Sequence, residues 1–407
     1  MTVRISHLSR GLFDAFEVPG FAGLWTSAAA ASFARIVGQL ALGWTTLEAT
    51  GSPFLVGVVL AARMVPLLVF GIPAGVVADR YSRRVLVAAT NSATALVALI
   101  VAGAAAAGRL DLAAIVLAAF LFGAADTLRT AATQAYAYDL VREARATRGI
   151  ALTNFGAQLL ATIGAVAGGA ALERGGPAEA FLAVAAASVV AAIGPALGAR
   201  AVAPAHIPPR SRPVLWQALG LLGRHRLVAT LSLAIVLVEV FGFSYLTLLP
   251  TFAHDVLGVG AAGLGALTAA RSAGGVASLL LLARLGSGER GGRVFLAASA
   301  AFGLALVAYA IPPNYELALI CMAVVGAAAA IDDALSQTLV QNSAPDRERG
   351  AAMGIWVFSI GFAPVGHLAI GAAADAVGAP AAQAASGALL FLVVLALALY
   401  TPLRRAK

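Results

Sequence analysis

Long apolar stretches alternate with short polar segments along the whole chain, and this alternation is the dominant pattern in the sequence. A helix that crosses the roughly 30 Å hydrocarbon layer of a bilayer needs about 20 mostly apolar residues, because it rises about 1.5 Å per residue. Twelve stretches meet this requirement, and we number them spans 1 to 12. Their approximate limits are 21–46, 53–77, 84–107, 112–138, 149–171, 178–199, 227–250, 260–284, 293–312, 316–341, 350–374 and 383–402. The pattern therefore predicts an all-α membrane protein with 12 transmembrane helices.

The longest polar connection lies at residues 200–226 and is rich in proline and arginine. It separates six spans from six spans, so we expect an N-terminal six-helix bundle over 1–199, a cytoplasmic linker over 200–226 and a C-terminal six-helix bundle over 227–407. The second part of the linker, residues 214–222, has the pattern of a short amphipathic helix that could lie at the lipid headgroups. An ordinary basic linker explains the same residues.

Composition agrees with a lipid environment, since 61% of the residues are hydrophobic and only 11% are charged. The net charge of +8 does not indicate nucleic-acid binding, because the arginines stand in short loops and no basic helix with interleaved aromatics occurs. When both termini are placed in the cytoplasm, Arg109 and Arg174 are the basic loop residues left outside. This strong asymmetry predicts cytoplasmic termini.

Several classes of chemistry find no support in the sequence. Cys321 is the only cysteine, which excludes an intramolecular disulfide and cysteine-based metal clusters. No H-x-x-x-H, G-x-S-x-G or nucleotide-binding loop is present, so an enzyme is not predicted. We expect no cofactor and no metal site. The N-terminal residues lack the apolar segment and cleavage site of a removable signal peptide.

The two halves carry a weak internal repeat. The segment GVVLAAR at 57–63 in span 2 matches GALTAAR at 265–271 in span 8, and both end on an intramembrane arginine. Gly123 in span 4 matches Gly326 in span 10. Duplicated halves joined by a central loop are typical of transporters whose binding site lies at the interface of the halves near the membrane midplane.

Charged and polar groups inside the spans are costly, so their positions are informative. Spans 3, 6, 9 and 12 carry no interior charge, which suggests that these helices face lipid while the others line a polar cavity. The candidate cavity residues are Arg35, Arg63, Asp126, Arg129, Glu239, Arg271, Asp332, Asp333 and His367.

Glu239 is the preferred proton-coupling residue, with Asp126 second. It lies near the middle of span 7 and has no charged neighbour within four residues of its own helix. In apolar surroundings the neutral form of a carboxyl group costs less than the charged form, so such a group can take up and release a proton. The alternative is a carboxylate neutralised by Arg35 or Arg271 across the cavity.

The remaining intramembrane residues allow structural and functional interpretations. Asp126 and Arg129 are three residues apart and could neutralise each other. Arg129 and Asp332 occupy matching positions in the two halves, and a salt bridge between them could close the cytoplasmic gate. Asp332 and Asp333 point about 100° apart on a helix, so at most one is expected to face the cavity. His367 fits a satisfied polar contact better than a proton relay.

The loop between spans 2 and 3 resembles the signature of the major facilitator superfamily, G-x-x-x-D-R-x-G-R-[RK]. It contains Gly75, Asp79, Arg80, Arg83 and Arg84 at the required spacing, with Ser82 in place of the second glycine.

A second segment, in span 5, is similar to the glycine motif of facilitator exporters. It contains Gly164, Gly168 and Gly169, with Ala165 in place of the motif's proline. Glycines at this spacing also serve simple helix packing.

Across nearly the whole chain the sequence resembles the branch of this superfamily that contains enterobactin exporters and drug-efflux proteins. The resemblance implies two pseudo-symmetric six-helix bundles that alternate around a central site in a bacterial cytoplasmic membrane. It implies a secondary transporter that exports a small, partly apolar molecule, drug-like or siderophore-like, by proton antiport. A facilitator importer or a lysolipid flippase on the same fold is the alternative. The expected partners are the substrate, protons and the lipid bilayer, and we expect a monomer.

Overall fold

The computed structural model describes residues 14–197, 220, 222–285, 290–311, 314–345 and 348–405. For residues 14, 72, 75, 76, 79, 141–148, 285, 349 and 405 it describes the backbone alone. Most of the predicted linker at 200–226 lies outside this part of the chain. The described residues are predominantly helical, as the apolar pattern predicts.

The first six spans begin with a short 3-10 turn, Asp14–Glu17, followed by long helices. The helices are Phe21–Thr50 for span 1, Pro53–Arg80 for span 2, Arg83–Ala106 for span 3 and Leu112–Ile193 for spans 4 to 6. The carboxylate of Asp111 caps the last of these by accepting a hydrogen bond from the backbone N–H of Ala114 at 2.8 Å.

The helical segment Leu112–Ile193 covers both of the breaks that the sequence predicts: the backbone stays helical through the first and turns at Gly176 in the second. Its apolar parts are Leu112–Leu140 and Gly149–Ala196, and the residues between them, VREARATR, are rich in alanine, arginine and glutamate, which favour helix. A turn between spans 5 and 6 is provided by Gly176, whose φ of +64° is disfavoured for other residues, and Pro177 follows it.

Spans 7 and 11 are interrupted helices. Span 7 consists of Arg226–Phe241, the 3-10 turn Phe243–Thr247, Leu249–Thr251 and the π-helical turn Phe252–Val256. Span 11 consists of Arg349–Ile360 and Ala363–Val377.

Each interrupted span contains a proline after its break. Pro250 and Pro364 have no N–H to donate, and each ring clashes with the carbonyl four residues earlier. In span 11 that carbonyl belongs to Ile360, the residue at which the first helix ends.

The other helices of the second half are regular. They are Ala261–Leu285 for span 8, Gly291–Ala310 for span 9, Tyr315–Asn342 for span 10 and Ala379–Tyr400 for span 12, followed by the 3-10 turn Pro402–Arg405.

The predicted membrane character is confirmed. Within the described residues, ten helical stretches are long and apolar enough to cross a bilayer, and one of them, Gly149–Ala196, has 48 residues and accounts for two spans. Span 1 is not among the ten, although its 30-residue helix is long enough, because Arg35, Glu48 and several hydroxyl residues make it less apolar.

The chain divides into two compact units. The first contains the described residues within Met1–Ala41 and Pro73–Pro209, and the second contains Leu42–Ile72 together with those within Arg210–Lys407. The second unit thus includes the end of span 1 and most of span 2, where Leu47, Val56 and Leu60 form an apolar cluster that packs against Leu246 of span 7. The three-part division predicted from the linker is based on chain order alone and stays a prediction.

Candidate functional site

The second unit contains a cluster of three carboxylates from two helices. Glu239 is on span 7, one turn before the helix breaks at Gly242, and Asp332 and Asp333 are near the middle of span 10. Glu239 is 8% exposed and Asp332 is 3% exposed. Both aspartates lie close enough to Glu239 for their charges to act on it. Carboxylates whose charges act on one another inside membrane-spanning helices repel when all are ionised.

The two adjacent aspartates have different surroundings. Asp332 accepts a hydrogen bond from the hydroxyl of Ser299, a buried residue on span 9, whereas Asp333 is exposed at the surface of the second unit. This difference follows from their angular separation on the helix. The bond from Ser299 satisfies part of the hydrogen-bonding capacity of Asp332 and holds that carboxylate towards span 9.

Glu239 has no hydrogen-bond or ion-pair partner among the residues that the structure describes. The interactions that it does make are the repulsive ones with Asp332 and Asp333. The pairing with Arg271 that the sequence left open is therefore not formed in this structure. A buried carboxyl group that has neither a hydrogen-bond donor nor a cation beside it can bind a proton, because the neutral form is less costly to bury than the charged form.

The first unit holds its intramembrane charges in a local pair. Arg129 donates hydrogen bonds to Asp126 at 2.7 and 3.2 Å through Nη2 and Nε, both side chains being partly buried. This is the mutual neutralisation that the spacing of three residues allows. Since Arg129 is bonded to Asp126 and Asp332 to Ser299, the bridge between Arg129 and Asp332 stays a prediction. Arg35 and Arg63 are half-buried.

The signature loop contributes one strong contact to the first unit. Arg83, buried at the start of span 3, lies 2.5 Å from the carboxylate of Asp139 on span 4 and donates a hydrogen bond to the carbonyl of Ala135 at 3.1 Å. Arg84 is half-buried and Arg80 is exposed. Gly75 and Asp79 lie in the helix of span 2, but their side chains are outside the described part of the structure.

The glycines of span 5 pack against span 1. A methyl group on Gly164 would lie 3.1 Å from the carbonyl oxygen of Phe33, and one on Gly168 would lie 3.1 Å from the side chain of Val37. Gly169 is buried on the same helix. This close approach is the helix-packing role that the glycine spacing allows.

A tightly packed seam within the second unit joins the start of span 2 to span 11. His367 is buried, its Nδ1 lies 2.9 Å from the hydroxyl of Thr247, and its backbone carbonyl is in contact with Gly57. This is the satisfied polar contact that the sequence favoured. A methyl group on Gly371, one turn further along span 11, would lie 2.8 Å from the backbone of Phe54, so only glycine allows this approach.

Asp375 closes the same seam. It accepts a hydrogen bond from the hydroxyl of Ser52 at 2.7 Å and one from the backbone N–H of Phe54 at 3.3 Å. The carboxylate therefore caps the N-terminus of span 2 from a different helix, where a negative charge is favourable. A transport cycle that separates spans 2 and 11 would have to break these bonds.

We expect the change Asp375→Ala to loosen the seam. Loss of an N-cap costs about 1 kcal/mol, which corresponds to roughly a fivefold change in an opening equilibrium. The measurement is the rate at which a maleimide labels a cysteine placed at Val56, a fully buried seam residue, in a Cys321→Ala background. Asp111→Ala is the matched control, because it removes a similar cap in the first unit. Equal rates in the Asp375 variant and its parent would contradict the proposed role.

Sequence reasoning missed several residues that the structure brings into these sites. Asp139, Ser299, Tyr245 and Asp375 were not among the candidates, although Asp139 and Asp375 are acidic residues at the ends of apolar spans, which was a usable signal. Within the described part of the chain, no group of three or more histidine, cysteine, aspartate or glutamate side chains is placed to hold a metal ion.

Comparisons with known proteins extend over almost the whole chain. The sequence model of a family described as transmembrane secretion effector matches residues 11–407. A "Staphyloferrin A transporter" from Staphylococcus aureus (strain NCTC 8325 / PS 47) is 24% identical over 355 residues, covering 84% of this chain and 86% of that protein.

Solved structures of transporters share the fold. The nucleoside transporter NupG superposes with a TM-score of 0.73 at 14% identity, covering 93% of this chain and 100% of the other. A peptide transporter of the POT family, solved with a thioalcohol-conjugated peptide, has a TM-score of 0.76 at 11% identity, with coverages of 95% and 96%. At these identities the likeness shows the fold alone.

Proposed function

The chain belongs to the transmembrane secretion effector family of major facilitator transporters, and from this premise we propose that it is a proton-coupled antiporter. It exports a small, partly apolar molecule by alternating access. The protein is a multi-pass membrane transporter and not an enzyme. Coupling to protons and the direction of transport are the parts of this function that we infer.

The burial and surroundings of Glu239 are the observation that supports coupling to protons. An antiporter needs a group that holds a proton in one conformation and releases it in another, and that competes with substrate for the same site. Glu239 is buried, has no partner among the described residues, and is near enough to two further carboxylates for their charges to act on it. Small changes in its exposure to water would therefore shift the balance between its charged and neutral forms.

The relative from Staphylococcus aureus supports the substrate class. Its name is that of a transporter of staphyloferrin A, and it aligns with most of this chain at 24% identity. We propose a siderophore-like or drug-like molecule as the transported species on that basis.

The asymmetry of the loop arginines supports the proposed orientation, with both termini in the cytoplasm of a bacterial cell and the chain in its cytoplasmic membrane. We propose a monomer as the working unit, because each six-span half finds its counterpart in the internal repeat of the same chain.

Transport into proteoliposomes with an imposed pH gradient tests the proposal. Purified protein is reconstituted, and uptake of radiolabelled siderophores and lipophilic drugs is measured with an acidic or an equilibrated lumen. We expect the acidic lumen to raise the initial uptake rate several-fold and a protonophore to abolish the increase. Uptake that does not depend on the pH gradient would indicate a facilitator, and uptake driven by an acidic external medium would indicate a symporter. Selective movement of lysolipid would indicate a flippase.

A further inference from the structure

Arg271 lies in the middle of span 8. It occupies the centre of the helix Ala261–Leu285 and is half-buried. Its Nε is buried and has no hydrogen-bond partner. Among the residues that the structure describes, no carboxylate lies within ion-pair distance of its guanidinium. Because arginine keeps its proton in proteins, this is a permanent positive charge inside a membrane-spanning segment.

Tyr245 is the side chain that lies beside this guanidinium. It belongs to the 3-10 turn of interrupted span 7, and its hydroxyl is near the charge of Arg271. The residue is fully buried, and among the described residues its hydroxyl has no hydrogen-bond partner of good geometry. Its ring is held edge-on against Phe302 of span 9, with centroids 6.1 Å apart. The hydroxyl is therefore close enough to interact with the guanidinium, but within the described part of the chain neither it nor the Nε of Arg271 makes a hydrogen bond of good geometry.

The backbone under Arg271 is held in place by span 10. A methyl group on Gly326 would overlap the carbonyl oxygen of Arg271, and one on Gly274 would overlap the carbonyl oxygen of Ala323. The two helices are thus in backbone contact on both sides of the arginine. The backbone from which the guanidinium projects is therefore fixed before an anion binds.

The acidic cluster of the same unit does not compensate this charge. Glu239 interacts with Asp332 and Asp333, and Asp332 is bonded to Ser299. Among the described residues, Arg271 is therefore not paired with any of these three carboxylates, although a direct ion pair would offset part of the cost of burying both charges. The lack of such a pair leaves the guanidinium free for a ligand and the carboxylates free for protons.

We propose that Arg271 and Tyr245 form a subsite for an anionic group of the transported molecule, a carboxylate in the first instance. A guanidinium binds a carboxylate through two parallel N–H···O bonds, and the phenol can donate a third bond. The inference rests on the proposed function, since it names the chemistry of the substrate that the transporter carries.

Three probes of similar shape and different charge test the subsite. Binding of 1-naphthylacetate, 1-naphthylacetamide and 1-naphthylethylamine to the full-length protein in nanodiscs is measured by probe fluorescence. We expect the acetate to bind about tenfold more tightly than the amide and the amine, and Arg271→Gln to remove this preference. Tyr245→Phe is expected to weaken acetate binding by a smaller factor. Arg293→Gln, which changes an exposed arginine at the start of span 9, is expected to change nothing.

Arg271→Lys is the control for loss of folding. It keeps the positive charge but not the fork of donors, so it should retain part of the preference while Arg271→Gln retains none. Equal binding of acetate and amide by the parent protein, absence of acetate binding, or a preference that survives Arg271→Gln would overturn the proposal. If proton-driven transport fails while the preference for acetate is intact, the antiporter proposal is contradicted and the subsite proposal is not. If proton-driven transport occurs without a preference for acetate, the subsite proposal alone is contradicted.

Discussion

Replacing Glu239 by glutamine abolishes transport driven by a pH gradient, and this is the largest functional effect that we expect from a single change. Glutamine has the shape of a protonated glutamate but can neither take up nor release a proton. We expect gradient-driven uptake in proteoliposomes to fall by at least about tenfold, to the rate without a gradient, because each tenfold loss requires only about 1.4 kcal/mol. Binding of the substrate is expected to stay within a few-fold of the parent.

We also predict the thermal stability of the Glu239→Gln variant. Since Glu239 has no bonding partner among the described residues and feels the charges of two other carboxylates, glutamine breaks no hydrogen bond or ion pair and removes a repulsion. The thermal stability of the variant should therefore equal or exceed that of the parent. Glu316→Gln is the matched control, because Glu316 is exposed in the first turn of span 10. Unchanged coupling in the Glu239 variant would remove this residue from the proton path.

Replacing Gly326 by alanine destabilises the second unit, and this is the largest structural effect that we expect. The added methyl group would overlap the backbone carbonyl oxygen of Arg271, and backbone cannot move aside as a flexible side chain can. Overpacking of this kind costs about 1–3 kcal/mol. At roughly 2–4 °C per kcal/mol, the midpoint of thermal unfolding should fall by about 5 °C.

The only cysteine provides the readout. Cys321 is buried on the same helix as Gly326 and has a free thiol, so a thiol-reactive dye reports the unfolding of span 10 directly. Gly103→Ala is the control, because no atom lies within 4 Å of the position that its methyl group would occupy. Equal unfolding midpoints for the two alanine variants would show that spans 8 and 10 are not packed as tightly as described.

Much of the architecture could be predicted because it depends on local sequence. The spans follow from runs of apolar residues, and the interruption of span 11 at Ile360 could have been predicted from Pro364. The helical connection between spans 4 and 5 was missed, since the polar residues between the apolar stretches were read as a loop. Their composition favours helix as strongly as their polarity favours an aqueous location.

The pairing of charged residues could not be predicted in the same way. Asp126 and Arg129 are close in sequence, and their bond was foreseen as one of two possibilities. The bond of Asp375 to Ser52 joins residues 323 positions apart, and that of Asp332 to Ser299 joins two different helices. Such contacts depend on which helix faces pack against each other. Because most faces of these helices are apolar, the sequence does not show which face is buried against which neighbour.

By itself the sequence determined that the chain is a helical membrane protein, where its spans lie and which few charged groups sit inside them. Those properties follow from hydrophobicity and from the high cost of burying charge, which act residue by residue. Only the tertiary structure decided what each buried charge has beside it. Glu239 lies with two other carboxylates, Arg271 lies with the unbonded hydroxyl of Tyr245, and Arg83 lies with Asp139. These neighbours are set by helix packing, because glycines such as Gly326 bring particular backbones into contact.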